Sequence, residues 1–328
     1  MEAQISIKNL SIGIKKRKKG ELLSSVEDIS FDIFPGEILG LVGESGSGKS
    51  LTALSIAGLL GKDKEITSGS IIFKGEKGER DLVNLSENEF KEIRGKEISF
   101  IFQEPFSALN PLMRIGDQIS ETLYLHGERD RNKAQKLALD YMERLGLENP
   151  RVLYKAYPHQ LSGGMCQRVM IALAIICKPK LLIADEPTTA LDHKTEEKIL
   201  SLLKEINSSL GLSILFISHD LGVIKDLCSR ILIMYSGKIL EYGNTQDIFT
   251  GASHEYTRGL IDSIPKAEGR GKDLKAIPGR IPSLEEGRPQ GCPFHPRCNK
   301  AGPGCKKDFP PSIFLKSGHT THCINYDK

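Results

Sequence analysis

The 328 residues are 39% apolar and 27% charged, with a formal net charge of +3, which suffices for a substantial core and, by length, for two units. So small a charge excess does not mark a nucleic-acid binder. Tryptophan is absent and no aromatic side chain interleaves with the five consecutive basic residues at positions 15–19, so a base-stacking platform has no support. That basic run lies between strand-like stretches at 5–10 and 26–33 and reads as a solvated hairpin turn. Further short strands are predicted at 37–42 and 69–73. The pattern then turns helical and charged from Asn88 to about Pro158, with helices expected at 115–126, 130–145 and 150–157. An apolar helix is expected at 165–177, followed by alternating strands and helices to about residue 245, including strands at 213–217 and 231–234. The fold class expected is α/β, with a mostly parallel sheet flanked by helices. The longest apolar run, 170–177, falls far short of the roughly 20 residues that span a bilayer. The N-terminus has no basic segment followed by an apolar stretch, so a cytoplasmic location is expected.

Chemistry concentrates in three places. The first is Gly43, Glu44, Ser45, Gly46, Ser47, Gly48, Lys49 and Ser50, followed by Leu51. This fits G-x-x-x-x-G-K-[ST] directly after an apolar strand, the context a phosphate loop requires. Glycines let successive backbone N–H groups point inward at phosphate, and the helix opening at Lys49 adds its positive dipole end. Lys49 neutralises β/γ-phosphate charge, and Ser50 offers its hydroxyl to Mg²⁺.

The second is the apolar run 181–184 ending in Asp185 and Glu186. Adjacent strand residues face opposite ways, so the two carboxylates serve different roles: Asp185 toward Mg²⁺ through water, and Glu186 toward a water in line with the γ-phosphate. The third is Leu161-Ser162-Gly163-Gly164. Ser162 can cap the helix that begins near Gly164, and the bare glycine backbone admits a phosphate to that N-terminus. One nucleotide is not easily cradled by two separate helix N-termini of one chain, so ATP sandwiched between the phosphate loop of one protomer and this segment of another is expected.

With Ile101-Phe102-Gln103-Glu104-Pro105, Ala190-Leu191-Asp192 and Ser218-His219 in the same order, the chain resembles the ATP-binding-cassette ATPases from residue 5 to about 245. The resemblance implies that Gln103 contacts Mg²⁺ and the attacking water and reports nucleotide state to a membrane partner. It further implies that Asp192 crosses to the other protomer, that His219 holds the γ-phosphate, Glu186 and water, and that the helical stretch is an inserted subdomain at about 88–163. At Ile14, where the family stacks an aromatic ring on adenine, this chain is aliphatic; a missing stack costs about 1–3 kcal/mol.

The stretches at 102–111, 157–160 and 254–260, and above all the tail with Ile277-Pro278-Gly279-Arg280-Ile281-Pro282 and Gly291-Cys292-Pro293-Phe294-His295-Pro296-Arg297-Cys298, are similar to dipeptide, oligopeptide and nickel importers. The tail favours peptide over nickel and sets residues 251–328 apart as a C-terminal extension. The resemblance implies two polytopic membrane permease subunits, a paralogous ATPase subunit or a second copy of this chain, and an extracytoplasmic solute-binding protein. It places the chain at the cytoplasmic face of the membrane and gives it no nucleic-acid partner. A soluble cassette ATPase acting on ribosomes or DNA is the competing class, but that class predicts tandem cassettes or sustained heptads.

Within the extension, Cys292, Cys298, Cys305 and Cys323 follow C-x5-C-x6-C-x17-C, which fits neither the usual zinc pairs nor the ferredoxin run. The residues alone imply four thiolates with the metal unspecified. The importer resemblance implies a [4Fe–4S] cluster, with zinc the alternative, because His295, His319 and His322 lie near enough in sequence to serve as ligands. Cys166, Cys177 and Cys228, in apolar stretches, are expected to be small core residues.

Overall fold

The computed structural model describes residues 2–16, 21–189, 191–264, 276–316 and 318–326. The chain divides into two compact units, one made of residues 1–5, 33–37 and 72–216 and the other of 6–32, 38–71 and 217–328.

In the second unit, Ile5–Lys15 lies between Leu22–Ile33 and Lys64–Gly75 in one sheet. The first strand runs five residues past its predicted end. Its buried apolar side chains are Ile5 and Ile7, then Leu10 and Ile12, so the period-2 alternation slips by one between them. The slip falls at Asn9, whose φ is 49°, and it faces Asp28, whose φ is 52°. Asn9 Nδ2 donates to Asp28 Oδ1 at 2.8 Å, a polar pair that tolerates the left-handed conformation and carries both strands through the irregularity. Of the basic run, Lys15 pairs with Glu65 at 2.8 Å; positions 17–20 lie outside the described residues.

A second sheet begins with Ile38–Val42, whose five residues are all buried, as expected of a parallel strand covered on both faces. It pairs in parallel with Arg230–Tyr235, from Leu39 opposite Arg230 to Val42 opposite Ile233. Arg230–Tyr235 and Lys238–Asn244 form a hairpin whose two turn residues, Ser236 and Gly237, both have positive φ, the twist that suits a two-residue connection. The return strand falls inside the stretch of alternating strands and helices expected to about residue 245, but it is not among the strands the pattern picks out. Nor does the pattern pick out the C-terminal strands: His319–Thr321 pairs with Lys238–Asn244, and Ile313–Lys316 pairs with His319–Thr321, both antiparallel. The extension therefore adds strands to this sheet.

In the first unit the sheet order is Ser213–Ser218, Leu181–Asp185, Ile98–Ile101, and the last two are parallel, with Ile98 opposite Leu181. Ile98–Ile101 interrupts the stretch from Asn88 to about Pro158 whose pattern reads as helical and charged. Four residues behind the polar run Arg94-Gly95-Lys96-Glu97 are too few to register as a strand by periodicity. The expected helices are present as Ile115–Leu125, Arg131–Arg144, Pro150–Tyr154 and Gly163–Ile175. Arg131–Arg144 is capped by Asp130, whose Oδ1 accepts from the backbone of Asn132 and Lys133, and it buries Ala134, Ala138, Tyr141 and Met142, one stripe at helical spacing. Pro150–Tyr154 is shorter than predicted. Its Tyr154 ring lies over Gly116, where a Cβ would meet the ring at 2.1 Å. Cys166 and Cys228 are core residues and Cys177 is half-buried. Burial pushes the Cys166 thiol up to about 11. Among the described residues, no helix is long and apolar enough to cross a membrane.

Candidate functional site

The phosphate loop lies in the second unit, between Ile38–Val42 and the helix Lys49–Ile56. At Gly43 an added Cβ would come within 2.1 Å of the Met234 carbonyl oxygen, and at Gly48, with φ 105°, within 2.8 Å of the Met234 methyl. The loop thus rests directly on the neighbouring strand, and only glycine permits that approach. The Gly237 N–H donates to the Ser47 carbonyl at 2.8 Å, fixing the loop from the hairpin turn. Above Gly46, with φ 81°, nothing lies within 4 Å of where a Cβ would stand. The Ser47 hydroxyl is buried with no hydrogen-bond partner among the described residues. An open face over a glycine backbone beside an orphaned hydroxyl suits a polyphosphate with its cation. Lys49 is buried, and its ammonium donates to the carbonyls of Gly43 at 2.7 Å and Glu44 at 3.0 Å. Ser50 is exposed at the start of the helix, with Leu51 half-buried beside it.

Glu44 is held on every side. Its N–H donates to the Tyr256 hydroxyl at 3.0 Å, and Arg297 Nη1 donates to both its carboxylate oxygens at 3.0 Å. Neither Tyr256 nor Arg297 was singled out by sequence reasoning, although both fall within the segments that marked the tail. His219, also in the second unit, is exposed and follows the end of the strand Ser213–Ser218. Its neighbour Asp220 caps Leu221–Leu227 by accepting from the backbone of Gly222 and Val223. Ile14 is half-buried near the end of its strand.

The first unit carries the carboxylates. Asp185 is buried as the last residue of Leu181–Asp185. Glu186, one step beyond, has φ 48°, a left-handed conformation that is costly for a residue with a Cβ and recurs where function imposes it. Its Oε2 accepts from Gln103 Nε2 at 3.0 Å and from the Thr189 hydroxyl at 3.0 Å. Gln103 and Glu186, 83 positions apart, are therefore brought together, and Thr189 is an orienting residue with no signal in the sequence. Ser162 caps Gly163–Ile175, its hydroxyl accepting from the Met165 N–H at 3.3 Å. The helix starts at Gly163, just ahead of the start expected at 164–165. At Gly164 a Cβ would sit 2.7 Å from Thr195 Cγ2. Asp192 caps His193–Leu210, accepting from the Thr195 N–H at 3.0 Å and its hydroxyl at 2.7 Å. The bonds to Thr195 hold its carboxyl below the usual range. Ala190, beside it in the motif, lies outside the described residues.

The four tail cysteines are thiols, three buried and Cys298 half-buried. Burial pushes Cys292 up to about 12, with the other three adding to the rise, and raises Cys298 and Cys323 as well. The quartet is therefore within mutual electrostatic range. Among the described residues, no three Cys, His, Asp or Glu side chains converge to hold a metal ion. Of the three histidines considered as ligands, His295 and His322 meet backbone carbonyls, of Cys292 and Pro310, while His319 meets Glu241.

Residues 26–189 match the family described as ABC transporter. The chain belongs to that family. It also carries, at residues 240–305, the region described as oligopeptide/dipeptide transporter, C-terminal region. It is 42% identical to the oligopeptide transport ATP-binding protein AppD of Bacillus subtilis, over 100% of this chain and 98% of that one. It is 42% identical to the dipeptide transport ATP-binding protein DppD of the same organism, over 100% and 96%. Among solved structures, a dimeric ATP-binding cassette in a post-hydrolysis state with ADP and phosphate is 30% identical. It superposes with a TM-score of 0.65 over 74% of this chain and 98% of the other. A family ATPase hydrolyses ATP, and this chain is an ATPase of that kind.

Proposed function

We propose that this chain is the ATP-hydrolysing, energy-coupling subunit of an importer for dipeptides or oligopeptides, working with two membrane permease subunits at the cytoplasmic face. The observation that carries this reading is the joint presence, in one chain, of the cassette and of the C-terminal region named for oligopeptide and dipeptide transporters. In this reading residues 1–250 are the cassette, with its helical subdomain at about 88–163, and 251–328 are the extension. Phe102, Phe106 and Leu112 are exposed in the segment after Ile98–Ile101, which supports a permease contact there.

Residues of the phosphate loop, Gly43 to Leu51, bind ATP. Lys49 leaves its two carbonyl partners for the β- and γ-phosphates, and Ser50, Gln103 and Asp185 hold Mg²⁺, directly or through water. Glu186 takes the proton of the attacking water, His219 orients the γ-phosphate, and Ser162, Gly163, Gly164 and Asp192 serve the nucleotide of a second cassette subunit, whether a paralogue or another copy. A solute-binding protein outside the membrane selects the peptide.

Pull-down of the tagged chain in mild detergent under anaerobic conditions, followed by mass spectrometry, is expected to recover two polytopic membrane proteins and a second cassette ATPase. Recovery of ribosomal or DNA-repair proteins without them overturns the importer reading. The same preparation tests the tail, for which we propose a [4Fe–4S] cluster held by Cys292, Cys298, Cys305 and Cys323. Such a cluster would tie the loops of the extension together through metal–thiolate bonds. Stoichiometric iron, acid-labile sulfide and a broad visible absorption are expected, and zinc or no metal at all counts against it. For Ile14, substitution by Tyr is expected to tighten ATP binding by about five- to 150-fold, read by titration with ATP and GTP; an unchanged affinity and base preference speaks against an adenine site there.

A further inference from the structure

Glu44 joins the phosphate loop to the extension. Its carboxylate is in an ion pair with Arg297 at 3.0 Å, and the Arg297 side chain is only 6% exposed. The guanidinium is itself fixed: Nε donates to the Pro278 carbonyl at 2.7 Å, and its carbon lies 5.7 Å from the Tyr235 ring centre and 5.9 Å from that of Phe294. Tyr235, Tyr256 and Phe294 pack on one another, with ring centres 4.7 to 5.4 Å apart. Tyr256 then accepts the Glu44 N–H. The remaining polar group of Glu44, its carbonyl, accepts from the Lys49 ammonium. One residue of the loop is thus bound through its side chain and N–H to residues beyond the cassette strands, and through its carbonyl to the lysine that meets phosphate.

A second arginine of the extension acts at the loop's other support. Arg288 Nε donates to the Ser236 carbonyl at 2.6 Å, and its guanidinium pairs with Glu27. Ser236 precedes Gly237, whose N–H holds Ser47. The loop is therefore braced near both ends by arginines that lie more than two hundred positions away in sequence.

We infer that Arg297 is a positioning residue for ATP binding: through Glu44 it fixes the peptide that aims Lys49, so that the extension sets the nucleotide affinity of the loop. A guanidinium held by a carbonyl and two aromatic faces has one orientation, and the half-buried Glu44 carboxylate, both of whose oxygens accept from it, has little freedom to rotate. Without Arg297, the Glu44 carboxylate turns to solvent and the Glu44 peptide gains freedom, so Lys49 must be ordered when ATP binds. That cost falls on binding rather than on the chemical step.

The inference rests on the ATPase reading, and the test separates the two. Equilibrium titration of the full-length chain with Mg²⁺ and a fluorescent ATP analogue is paired with steady-state hydrolysis. Arg297→Ala is expected to weaken binding about tenfold and raise KM alike, with kcat at saturation within about twofold. Arg297→Lys is expected to recover part of the affinity, because Lys restores the charge but not the fork. Glu44→Gln leaves the extension intact and is expected to weaken binding similarly, and the double variant should be no worse than either single one. An unaltered affinity in Glu44→Gln, or additive losses in the double variant, overturns the inference. So does a lowered melting temperature in Arg297→Ala with unchanged affinity. A wild-type chain that binds no nucleotide overturns the ATPase reading itself.

Discussion

Glu186→Gln is expected to leave ATP binding intact and to lower hydrolysis by about a thousandfold, within the range of about 10²–10⁴ that a positioned general base contributes. The substitution preserves shape and one acceptor oxygen, so the Thr189 hydroxyl at 3.0 Å keeps a partner. The lost property is the capacity to take a proton. The surroundings of Glu186 argue for this role over a structural one. A carboxylate needed only to end a strand would not be held in a left-handed conformation, with φ 48°, and then oriented by Gln103 from 83 positions away. Phosphate release under single-turnover conditions measures the effect. Because ATP is bound but not cleaved, the variant should also accumulate in an ATP-closed dimer, visible by size-exclusion chromatography. A variant that retains more than about a tenth of wild-type activity removes Glu186 from the role of base, since even the weakest such catalysis is worth about a hundredfold.

The parts of this site that were legible in the sequence are those in which a short segment carries its own chemistry. The phosphate loop could be read because its glycines, lysine and serine are consecutive and follow an apolar run, and Ser162 could be placed as a cap because capping is local. Glu186 was legible as a carboxylate at a strand end, but its backbone conformation was not, since nothing in its neighbours demands a positive φ. The strand Ile98–Ile101 was missed because four residues give no period to read, and it was surrounded by helices. The C-terminal hairpin was hidden for another reason: its strands are short, and their pairing with Lys238–Asn244 spans some eighty residues. Most opaque of all was the grip of Arg297 on Glu44, 253 positions apart. Each residue is unremarkable in its own segment, and the pairing exists only because the tail folds back beside the loop.

That fold-back depends on Glu241, and Glu241→Ala is expected to destabilise the second unit by about 3–5 kcal/mol, lowering the melting temperature by about 10 °C. Glu241 is wholly buried on the strand Lys238–Asn244. Its carboxylate accepts from the Ser253 N–H at 2.6 Å, the His254 N–H at 3.0 Å and His319 Nε2 at 2.7 Å. Those bonds tie the strand to the start of the helix Glu255–Asp262, which carries Tyr256, and to the C-terminal strand His319–Thr321. Alanine strands three buried donors at once, and leaving a donor without an acceptor costs more than the bond was worth. The pH dependence should shift too. Burial pulls His254 down to about 4, with the Glu241 carboxylate opposing that fall. Its folded pKa lies below its ordinary value of 6.5, so the unfolded chain binds the extra proton, and stability is lost as pH falls from about 6.5 toward 4. Without the Glu241 charge the folded pKa drops further, so the loss in Glu241→Ala should continue to lower pH than in the wild type. Thermal unfolding followed across that range checks both effects. A melting temperature within about 2 °C of wild type would mean that the backbone around His254 reforms its bonds without Glu241, and that the extension is held in place by its aromatic cluster instead.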